Sequence, residues 1–402
     1  MRVLMIGLDP TILGRGTGPG DTRERHVKYA AALRRHVPGG RLDVIVRVPR
    51  SWSGGATEIA DGLVVHPVPC ARAGFAPGAL RACAMLTARD RPDVVTTQTP
   101  FDDGLVGAWL KRRCRAALNV QMHSSFLDSP QWMRHRPLVY RAFNRLGKWV
   151  AGQADTIRVV SRGEQRRLEQ CLPWLKQKLV FLHELVDRAT FEAPMRPEEQ
   201  SAAELVLRTH GLAGFPLLLF VGRLSWEKNV AMLLEAFARA AGRVPGSALI
   251  VAGDGPLRAS LERRAGALGL ARRVVWLGVV PLPALRPWFA AAAGLLLPSA
   301  YEGFGKVVVE SYLMGTPAIV TPFVSAAELV RDGETGFVAP DFHGVPWLGE
   351  RMAYLLGHPE EARAMGQRGR THVQSYLLPE REYMDRLVGI WQDTLARARR
   401  EG

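Results

Sequence analysis

The sequence predicts an α/β protein made of two doubly wound, parallel-sheet domains. Its 402 residues exceed the roughly 100–200 residues that are usual for one domain. Short apolar runs alternate with longer amphipathic segments, and this alternation stops and restarts once along the chain. Strands that read as nearly continuous apolar runs are typical of parallel sheets with helices on both faces.

The first domain is predicted to span residues 1–191. Its expected strands are residues 2–8, 42–48, 63–68, 93–99, 117–123, 156–161 and 179–184. Helical stretches such as HVKYAAALRRH and DGLVGAWLKRR lie between most of them. This order of elements predicts a parallel sheet joined by helical crossovers.

The second domain is predicted to span residues 192–378. Its expected strands are residues 217–222, 248–253, 274–278, 294–299, 318–321 and 336–340. The polar, proline-containing stretch EAPMRPEEQSAA (192–203) is typical of an exposed linker. Residues 379–402 are predicted to form a long helix that packs back toward the first domain, with Tyr383, Leu387, Ile390 and Leu395 along one side.

The two predicted sheets also indicate where a ligand would bind. In open parallel sheets, ligands lie beyond the carboxyl ends of the strands. Two such domains facing each other would place a cleft between their strand ends. Residues at strand ends are therefore the first candidates for a functional site.

The sequence and its cysteine content bear on where the protein is located in the cell. We find no run near the ~18 apolar residues that a transmembrane helix needs, and MRVLMIGL at the start reads as a strand and not as a signal peptide. A cytoplasmic protein is expected. The four cysteines, Cys70, Cys83, Cys114 and Cys171, lack CxxC pairing, so the sequence predicts neither a zinc site nor a disulfide framework.

The net charge of +15 lies almost entirely in the first half of the chain. Residues 1–190 contain 30 Lys+Arg against 16 Asp+Glu, or +14, and residues 191–402 contain 23 against 22, or +1. This asymmetry indicates an anionic partner, either nucleic acid or an acidic membrane surface. Solvated arginine-rich helix faces explain it equally well.

The segment HRPLVYRAFNRLGKWV (135–150) reads as an amphipathic helix. Its apolar face is predicted to carry Val139, Phe143, Leu146 and Val150, and its opposite face Arg141, Arg145 and Lys148. This pattern is typical of a helix lying on the inner face of an anionic membrane. An ordinary surface helix has the same pattern.

A candidate phosphate-binding pair lies in FVGRLSWEKNV (220–230). Arg223 follows a strand that ends in Gly222, and Lys228 opens the next helix. Arginine can bind phosphate oxygens bidentately while lysine supplies a mobile point charge, so the pair suits a diphosphate. Ordinary solvation of a helix start is the alternative.

A second candidate lies in YEGFGKVVVES (301–311). If Gly303 and Gly305 let the chain turn after a strand, the amides of Lys306, Val307 and Val308 form a helix start that can bind an anion.

Two glutamates bracket this helix start. Glu310, inside the helix, can accept two ribose hydroxyls, and Glu302, in the loop, can hold hydroxyls beyond the phosphates. The arrangement predicts a nucleotide-sugar site.

Two weaker candidates lie in the first half. The loop GRGTGPGDTRERH (14–26), with Gly16 and Gly18, does not match the dinucleotide fingerprint but could form an amide-rich flap over a phosphate. His123 ends the strand ALNVQM and would face the same cleft. A lone histidine is also often structural.

Together these motifs resemble the retaining GT-B glycosyltransferases of family 4, over nearly the whole chain. The family's E-x7-E motif matches Glu302 and Glu310, and its EGFG loop matches residues 302–305. The "GRL…EK" pair, the AGDGP run (252–256) and the GTP after the motif helix (315–317) also match. Where the family has a glycine pair before a glutamate, this chain has VSAAE (324–328).

The resemblance implies two Rossmann-like domains and a set of site residues. The catalytic set would be His123, Arg223, Lys228 and Glu302. The nucleotide-sugar-binding set would be Gly16, Gly18, Gly222, Arg223, Lys228, Gly253, Gly278, Gly303, Phe304, Gly305, Lys306, Val307 and Glu310.

The resemblance also implies the chemistry. The expected reaction moves a sugar from a nucleoside-diphosphate sugar to an acceptor glycan, glycolipid or small molecule, with retention and with no metal or cofactor. No nucleic-acid partner is expected, because the basic residues are not interleaved with stacking aromatics.

Three alternatives remain open at this point. One is a pyridoxal-phosphate phosphorylase of the same fold. The others are a basic membrane- or nucleic-acid-binding protein and a sensor with an inactive nucleotide-sugar site.

Overall fold

The computed structural model describes residues 1–14 and 22–401. Close contacts divide the chain into two compact units. The first unit comprises Met1–Leu185 and Leu378–Gly402, and the second comprises Val186–Leu377. The structure thus divides at 185/186 and 377/378, where the sequence predicts 191/192 and 378/379.

Within the described residues, the first unit has an eight-stranded sheet of order β3-β4-β2-β1-β5-β6-β7-β8. The strands are β1 Arg2–Gly7, β2 Arg41–Val48, β3 Thr57–Ala60, β4 Leu63–Pro69, β5 Val94–Thr97, β6 Ala117–Met122, β7 Thr156–Val159 and β8 Leu179–Phe181. Every neighbouring pair is parallel except the edge pair β3–β4. Strand β3 was not predicted, because its short, exposed TEIA sequence has no apolar run.

Helices cover both faces of this sheet. They are α1 Thr22–His36, α2 Phe75–Arg89, α3 Asp102–Cys114, α4 Pro130–His135, α5 Pro137–Gln153 and α6 Arg162–Cys171. Successive side chains of a strand point to opposite faces. Val3 and Met5 therefore join the core that contains α1, while Leu4 and Ile6 join the core that contains α2 and α3.

The second unit repeats the architecture. Within the described residues its sheet has the order β11-β10-β9-β12-β13-β14, with all neighbours parallel. The strands are β9 Leu217–Val221, β10 Ala248–Ala252, β11 Val274–Gly278, β12 Ala292–Leu297, β13 Ala318–Val320 and β14 Gly336–Val338. The prediction of two doubly wound parallel sheets is confirmed.

The second unit has mostly short helices. They are α7 Arg188–Glu192, α8 Pro197–Thr209, α9 Val230–Arg243, α10 Arg258–Ala267, α11 Leu282–Ala291, α12 Lys306–Leu313, α13 Ala326–Leu329, α14 Val345–Gly357 and α15 Pro359–Tyr376. Four 3₁₀ turns complete the described helices: Pro10–Leu13, Arg72–Gly74, Pro173–Lys178 and Trp226–Lys228.

The predicted linker, residues 192–203, is largely helical. Helix α8 begins at Pro197, and the Glu199 carboxylate accepts a hydrogen bond from the Arg196 backbone N–H at 2.9 Å. Arg286 of α11 is buried and lies 3.1 Å from Glu199. Most of residues 192–203 are exposed, as the composition predicted. The ion pair, formed with a residue far along the chain, is not visible locally.

The terminal helix α16, Glu380–Glu401, belongs to the first unit. It packs on α1 and β6. Tyr383 and Leu387 are buried, and the Thr394 hydroxyl lies 2.6 Å from the Thr156 hydroxyl of β7. The helix therefore completes one face of the first sheet.

The predicted apolar face of α5 is only partly correct. Val150 is fully buried, Leu146 packs against the core, and Phe143 lies edge-on to Phe101 at 5.4 Å. These three side chains pack inside the unit. Val139, which was predicted on the same face, is 47% exposed because it lies at the first turn of the helix, outside the packed layer.

The chain passes between the units beside His183. The ring is buried, and its Nε2 accepts the Leu378 backbone N–H at 3.0 Å while Nδ1 lies 2.7 Å from the Glu184 carbonyl oxygen. These contacts require a neutral ring in which Nδ1–H donates. Burial lowers the pKa of His183 to about 4.

Acidification is expected to destabilise the protein through His183. An unfolded histidine has a pKa of about 6.5. Between pH 6.5 and 4, the His183 side chain therefore binds a proton more tightly in the unfolded chain than in the folded protein. The contribution of the neutral His183 ring to the free energy of unfolding is fully present above the unfolded pKa and decreases as the pH falls toward 4. From pH 7 to 5 the free energy of unfolding should decrease by about 2 kcal/mol through this group.

Urea unfolding at both pH values tests this expectation. The pH dependence should flatten in His183→Asn and remain in His343→Asn, which alters an exposed histidine. An equal pH dependence in wild type and His183→Asn would contradict it.

Candidate active site

Arg223 and Lys228 lie where β9 ends. The chain leaves β9 through Gly222 and Arg223, makes the 3₁₀ turn Trp226–Lys228, and enters α9 after Asn229, whose φ is 51°. Leu224 is buried, so the backbone between the two cations is anchored, while the Arg223 side chain is exposed. The turn therefore carries an exposed guanidinium and, five residues later, an ammonium.

The AGDGP loop after β10 holds this turn by backbone contacts. The Leu224 N–H donates to the Asp254 carbonyl at 3.0 Å, and the Gly253 N–H donates to the Gly278 carbonyl at 2.7 Å. Gly253 has a φ of 140°, and a Cβ there would overlap the Gly222 carbonyl oxygen. Gly253 is thus required by the close approach of the Gly222 carbonyl, and Gly278 is favoured by its φ of 70°.

The EGFG loop leads from β12 into α12. Gly305 has a φ of 82° and precedes Lys306, the first residue of the helix. Within the described residues no side-chain hydrogen bond caps this helix, and a helix start of this kind presents backbone amides that can bind an anion. Phe304 is buried, and its carbonyl accepts the Ser325 hydroxyl at 2.9 Å, which fixes the loop.

The two predicted carboxylates have different environments. Glu310 is only 5% exposed and lies 3.8 Å from the Lys306 ammonium one turn earlier in α12. Glu302 accepts the hydroxyl of the buried Ser299 at 2.7 Å. Both carboxylates are therefore held in defined orientations.

The structure brings the two predicted motifs together. The Lys228 ammonium pairs with the Glu302 carboxylate, although 74 residues separate them in sequence. The Ala300 N–H donates to the Glu227 carbonyl at 2.7 Å, beside these residues. Because an ammonium has three N–H donors, Lys228 can contact Glu302 and a phosphate oxygen at the same time.

An aromatic contact reinforces this joint. The rings of Trp226 and Tyr301, one from each loop, lie 5.6 Å apart. The relative position of the cations and of the EGFG loop is thus fixed by an ion pair, a hydrogen bond and a ring contact. The sequence contains both aromatic residues but does not reveal that they meet.

His123 lies in the first unit, directly after β6. Its Nε2 is 3.1 Å from the Gln98 side-chain oxygen, and its Nδ1 is 3.4 Å from the Glu184 carboxylate. Burial lowers the pKa of His123, and this outweighs the opposing effect of Glu184. Glu184 was not predicted as a site residue, although its position at the end of a predicted strand was a usable signal.

A neutral His123 ring constrains its two neighbours. It has one N–H, which can be donated to Glu184 from Nδ1. Nε2 then accepts from the Gln98 amide, whose oxygen and nitrogen are interchangeable by rotation. The ring is thereby held from both sides.

Two predicted site residues, Gly16 and Gly18, lie outside the described residues. Within the described ranges, no group of three or more His, Cys, Asp or Glu side chains is arranged to hold a metal ion. In the same ranges, no helix combines the length and the apolarity that are needed to cross a bilayer.

Two glycosyltransferase family models match most of this chain. The model of glycosyl transferases group 1 matches residues 208–372, and that of the glycosyl transferase 4-like domain matches residues 26–183. Alpha-D-kanosaminyltransferase of Streptomyces kanamyceticus is 30% identical over 290 residues, which cover 69% of this chain and 70% of that protein. The chain is a GT-B glycosyltransferase of family 4.

Solved structures of low sequence identity share the fold of this glycosyltransferase. Sucrose-phosphate synthase from Thermosynechococcus elongatus has a TM-score of 0.79 at 20% identity and covers 98% of this chain and 99% of its own. Anabaena HepE in complex with UDP and glucose has a TM-score of 0.72 at 19% identity, with coverage of 97% and 98%. The comparisons do not support the alternative of a binding protein with an inactive site.

Proposed function

We propose that this glycosyltransferase moves a sugar from a nucleoside-diphosphate sugar to an acceptor hydroxyl, with retention of configuration. The observation that carries the proposal is the joint between the loops after β9 and β12. It combines Arg223 and Lys228 with the uncapped start of α12, beside Glu302. The structural neighbour HepE has been solved in complex with UDP and glucose.

The proposed chemistry is stabilisation of the leaving group. As the bond between sugar and phosphate breaks, negative charge develops on the diphosphate. The backbone that carries Arg223 is anchored by the buried Leu224, and Lys228 is held by Glu302. These cations and the first-turn amides of α12 would therefore favour this charge with little reorganisation. These groups supply the positive charge that a divalent cation would otherwise provide, so we propose that neither metal nor cofactor is required.

The carboxylates are proposed to select the donor. Glu310 is buried and oriented, which suits bidentate acceptance of two ribose hydroxyls. Glu302 would hold hydroxyls of the transferred sugar while it keeps Lys228 in place. We also propose that His123 is a catalytic residue, because its position resembles that of the corresponding family segment.

Retention is proposed to follow from attack on the face that the diphosphate leaves. The acceptor hydroxyl forms its bond to the anomeric carbon as the sugar–phosphate bond breaks, and the departing phosphate oxygen takes the hydroxyl proton. The acceptor class remains a glycan, a glycolipid or a small molecule.

A thermal-shift panel of UDP, GDP, ADP and their sugars, without and then with Mg²⁺, tests the donor site. A ligand at about 100 times its dissociation constant adds roughly 2.7 kcal/mol of stability. We expect one nucleotide to raise the melting temperature without metal, and Glu310→Gln and Arg223→Ala to weaken this shift. Arg263→Ala, which alters an exposed residue of α10, should behave as wild type.

The panel can also reject the proposal. No shift with any nucleotide, or a shift that survives both site variants, would show that the donor site is elsewhere or absent. The anomeric configuration of the product, read by NMR, separately tests retention.

A further inference from the structure

Helix α5 presents an exposed face with apolar ends and a basic middle. Leu138 is 81% exposed and Trp149 is 42% exposed, and Arg141 and Arg145 between them are also exposed. Residues three and four apart share one side of a helix, so these four side chains form a single stripe. At 1.5 Å per residue the stripe is about 16 Å long.

The surroundings of the stripe are strongly cationic. Residues 130–153 contain five Lys and Arg and no Asp or Glu. Lys148 is neutralised by Asp128 at 2.7 Å. Within the described part of the chain, no carboxylate lies within ion-pair distance of the four remaining cations, Arg134, Arg136, Arg141 and Arg145.

The stripe is held on a rigid support. Trp132 of α4 is buried and stacks on Tyr140 of α5 at 4.5 Å and on Phe101 at 5.3 Å. The inward side chains of α5 pack into the core, as described above. Leu138 is outside this core, and Trp149 lies under the Arg112 guanidinium, 5.6 Å from the ring centroid, while it remains partly exposed. Both apolar side chains are therefore accessible to a partner surface.

We propose that this face of α5 docks on an anionic lipid bilayer. Arginines in the middle of the stripe meet lipid headgroup charge, and the apolar ends enter the boundary between headgroups and acyl chains. Tryptophan is favoured at that depth. A nucleic-acid backbone would use the arginines but offers no apolar layer for Leu138.

This inference goes beyond the proposed reaction. Binding to lipid is measured without donor or acceptor, so its failure and the failure of the donor site are separate results. An acceptor carried by a lipid would meet the enzyme at this face, and only that step rests on the proposed function.

Vesicle flotation tests the docking face in the full-length protein. The vesicles contain phosphatidylcholine, either pure or with 30% phosphatidylglycerol, at 0.1 and 0.5 M salt. We expect binding to the anionic vesicles at low salt, and binding roughly 30-fold weaker or more in Arg141→Glu/Arg145→Glu. Leu138→Ala/Trp149→Ala should also weaken binding, with less sensitivity to salt.

A matched control variant distinguishes an effect of where the charges lie from an effect of the net charge of the protein. Arg263→Glu/Arg363→Glu makes the same change in net charge at exposed residues of α10 and α15, in the second unit. It should bind vesicles as wild type does. Melting temperatures of all variants within about 2 °C of wild type show that they fold.

The remaining outcomes would overturn the proposal. They are absence of flotation with anionic vesicles, equal flotation with neutral vesicles, and equal loss in the control variant. Tighter binding to a 30-nucleotide RNA than to vesicles, abolished by Arg141→Glu/Arg145→Glu, would make nucleic acid the partner instead.

Discussion

Arg223→Ala is expected to slow sugar transfer by about 100- to 1,000-fold, mainly through kcat. Removing one preorganised donor from a developing oxyanion typically costs about 2.7–4 kcal/mol in the transition state. Arg223 is exposed, and its neighbour Leu224 anchors the backbone of the turn. The variant should therefore fold normally, with an unchanged free energy of unfolding and a lower rate of sugar transfer.

The measurement is nucleotide release from the donor identified in the thermal-shift panel. Arg223→Lys should give an intermediate rate, because lysine keeps the charge but loses the bidentate geometry. Arg263→Ala, with the same truncation on α10, should stay within about twofold of wild type, since surface changes away from a site have small effects. Wild-type turnover by Arg223→Ala would reject the assignment of the leaving-group site.

Arg158→Ala is expected to lower the free energy of unfolding by about 3–5 kcal/mol, through unmet acceptors and a cavity. Arg158 is 2% exposed in the middle of the first unit. It donates to the carbonyls of Leu182 and His183, at 3.1 and 2.8 Å, and to the Gln121 side chain at 2.7 Å. It also donates to the Tyr383 hydroxyl at 2.7 Å, which ties α16 to β7.

The Arg158 guanidinium is buried and its hydrogen-bond partners are neutral, so its substitution measures how much hydrogen bonds alone stabilise a buried charge. Within the described residues, no carboxylate lies within ion-pair distance of Arg158, so its hydrogen bonds carry the stabilisation. Arg158→Met fills most of the volume and tests the hydrogen bonds themselves. It should destabilise the protein less than Arg158→Ala but clearly more than Arg166→Ala, which alters an exposed residue of α6.

Urea unfolding of the three variants gives the result. If Arg158→Met were as stable as wild type, relief of the buried charge would offset the lost hydrogen bonds. In that case Arg158 would not stabilise the contact with α16.

The sequence by itself determined the class and the repeat of the fold. Near-continuous apolar strands between amphipathic helices specify parallel sheets, because both faces of each strand are covered. The loops after β9 and β12 were found for a similar reason, since glycines, cations and carboxylates cluster locally at strand ends. These features depend on neighbours within a few residues.

The tertiary structure decided which of these residues meet. Lys228 pairs with Glu302 across 74 residues, and Arg158 reaches Tyr383 of the terminal helix across 225 residues. No local periodicity encodes such contacts, because they arise only when elements from distant parts of the chain pack against one another.

The same physical reason separates the correct from the incorrect local predictions. The first half of α8 falls in the predicted linker 192–203, and its order was not foreseen because Arg286, the partner of Glu199, lies 87 residues away. The inward face of α5 was located correctly at Phe143, Leu146 and Val150. Val139 is exposed because it lies in the first turn, and helical periodicity does not show where the packed layer ends. Sequence fixes the pattern of each element, and packing between elements decides which face is buried and which remains for a partner.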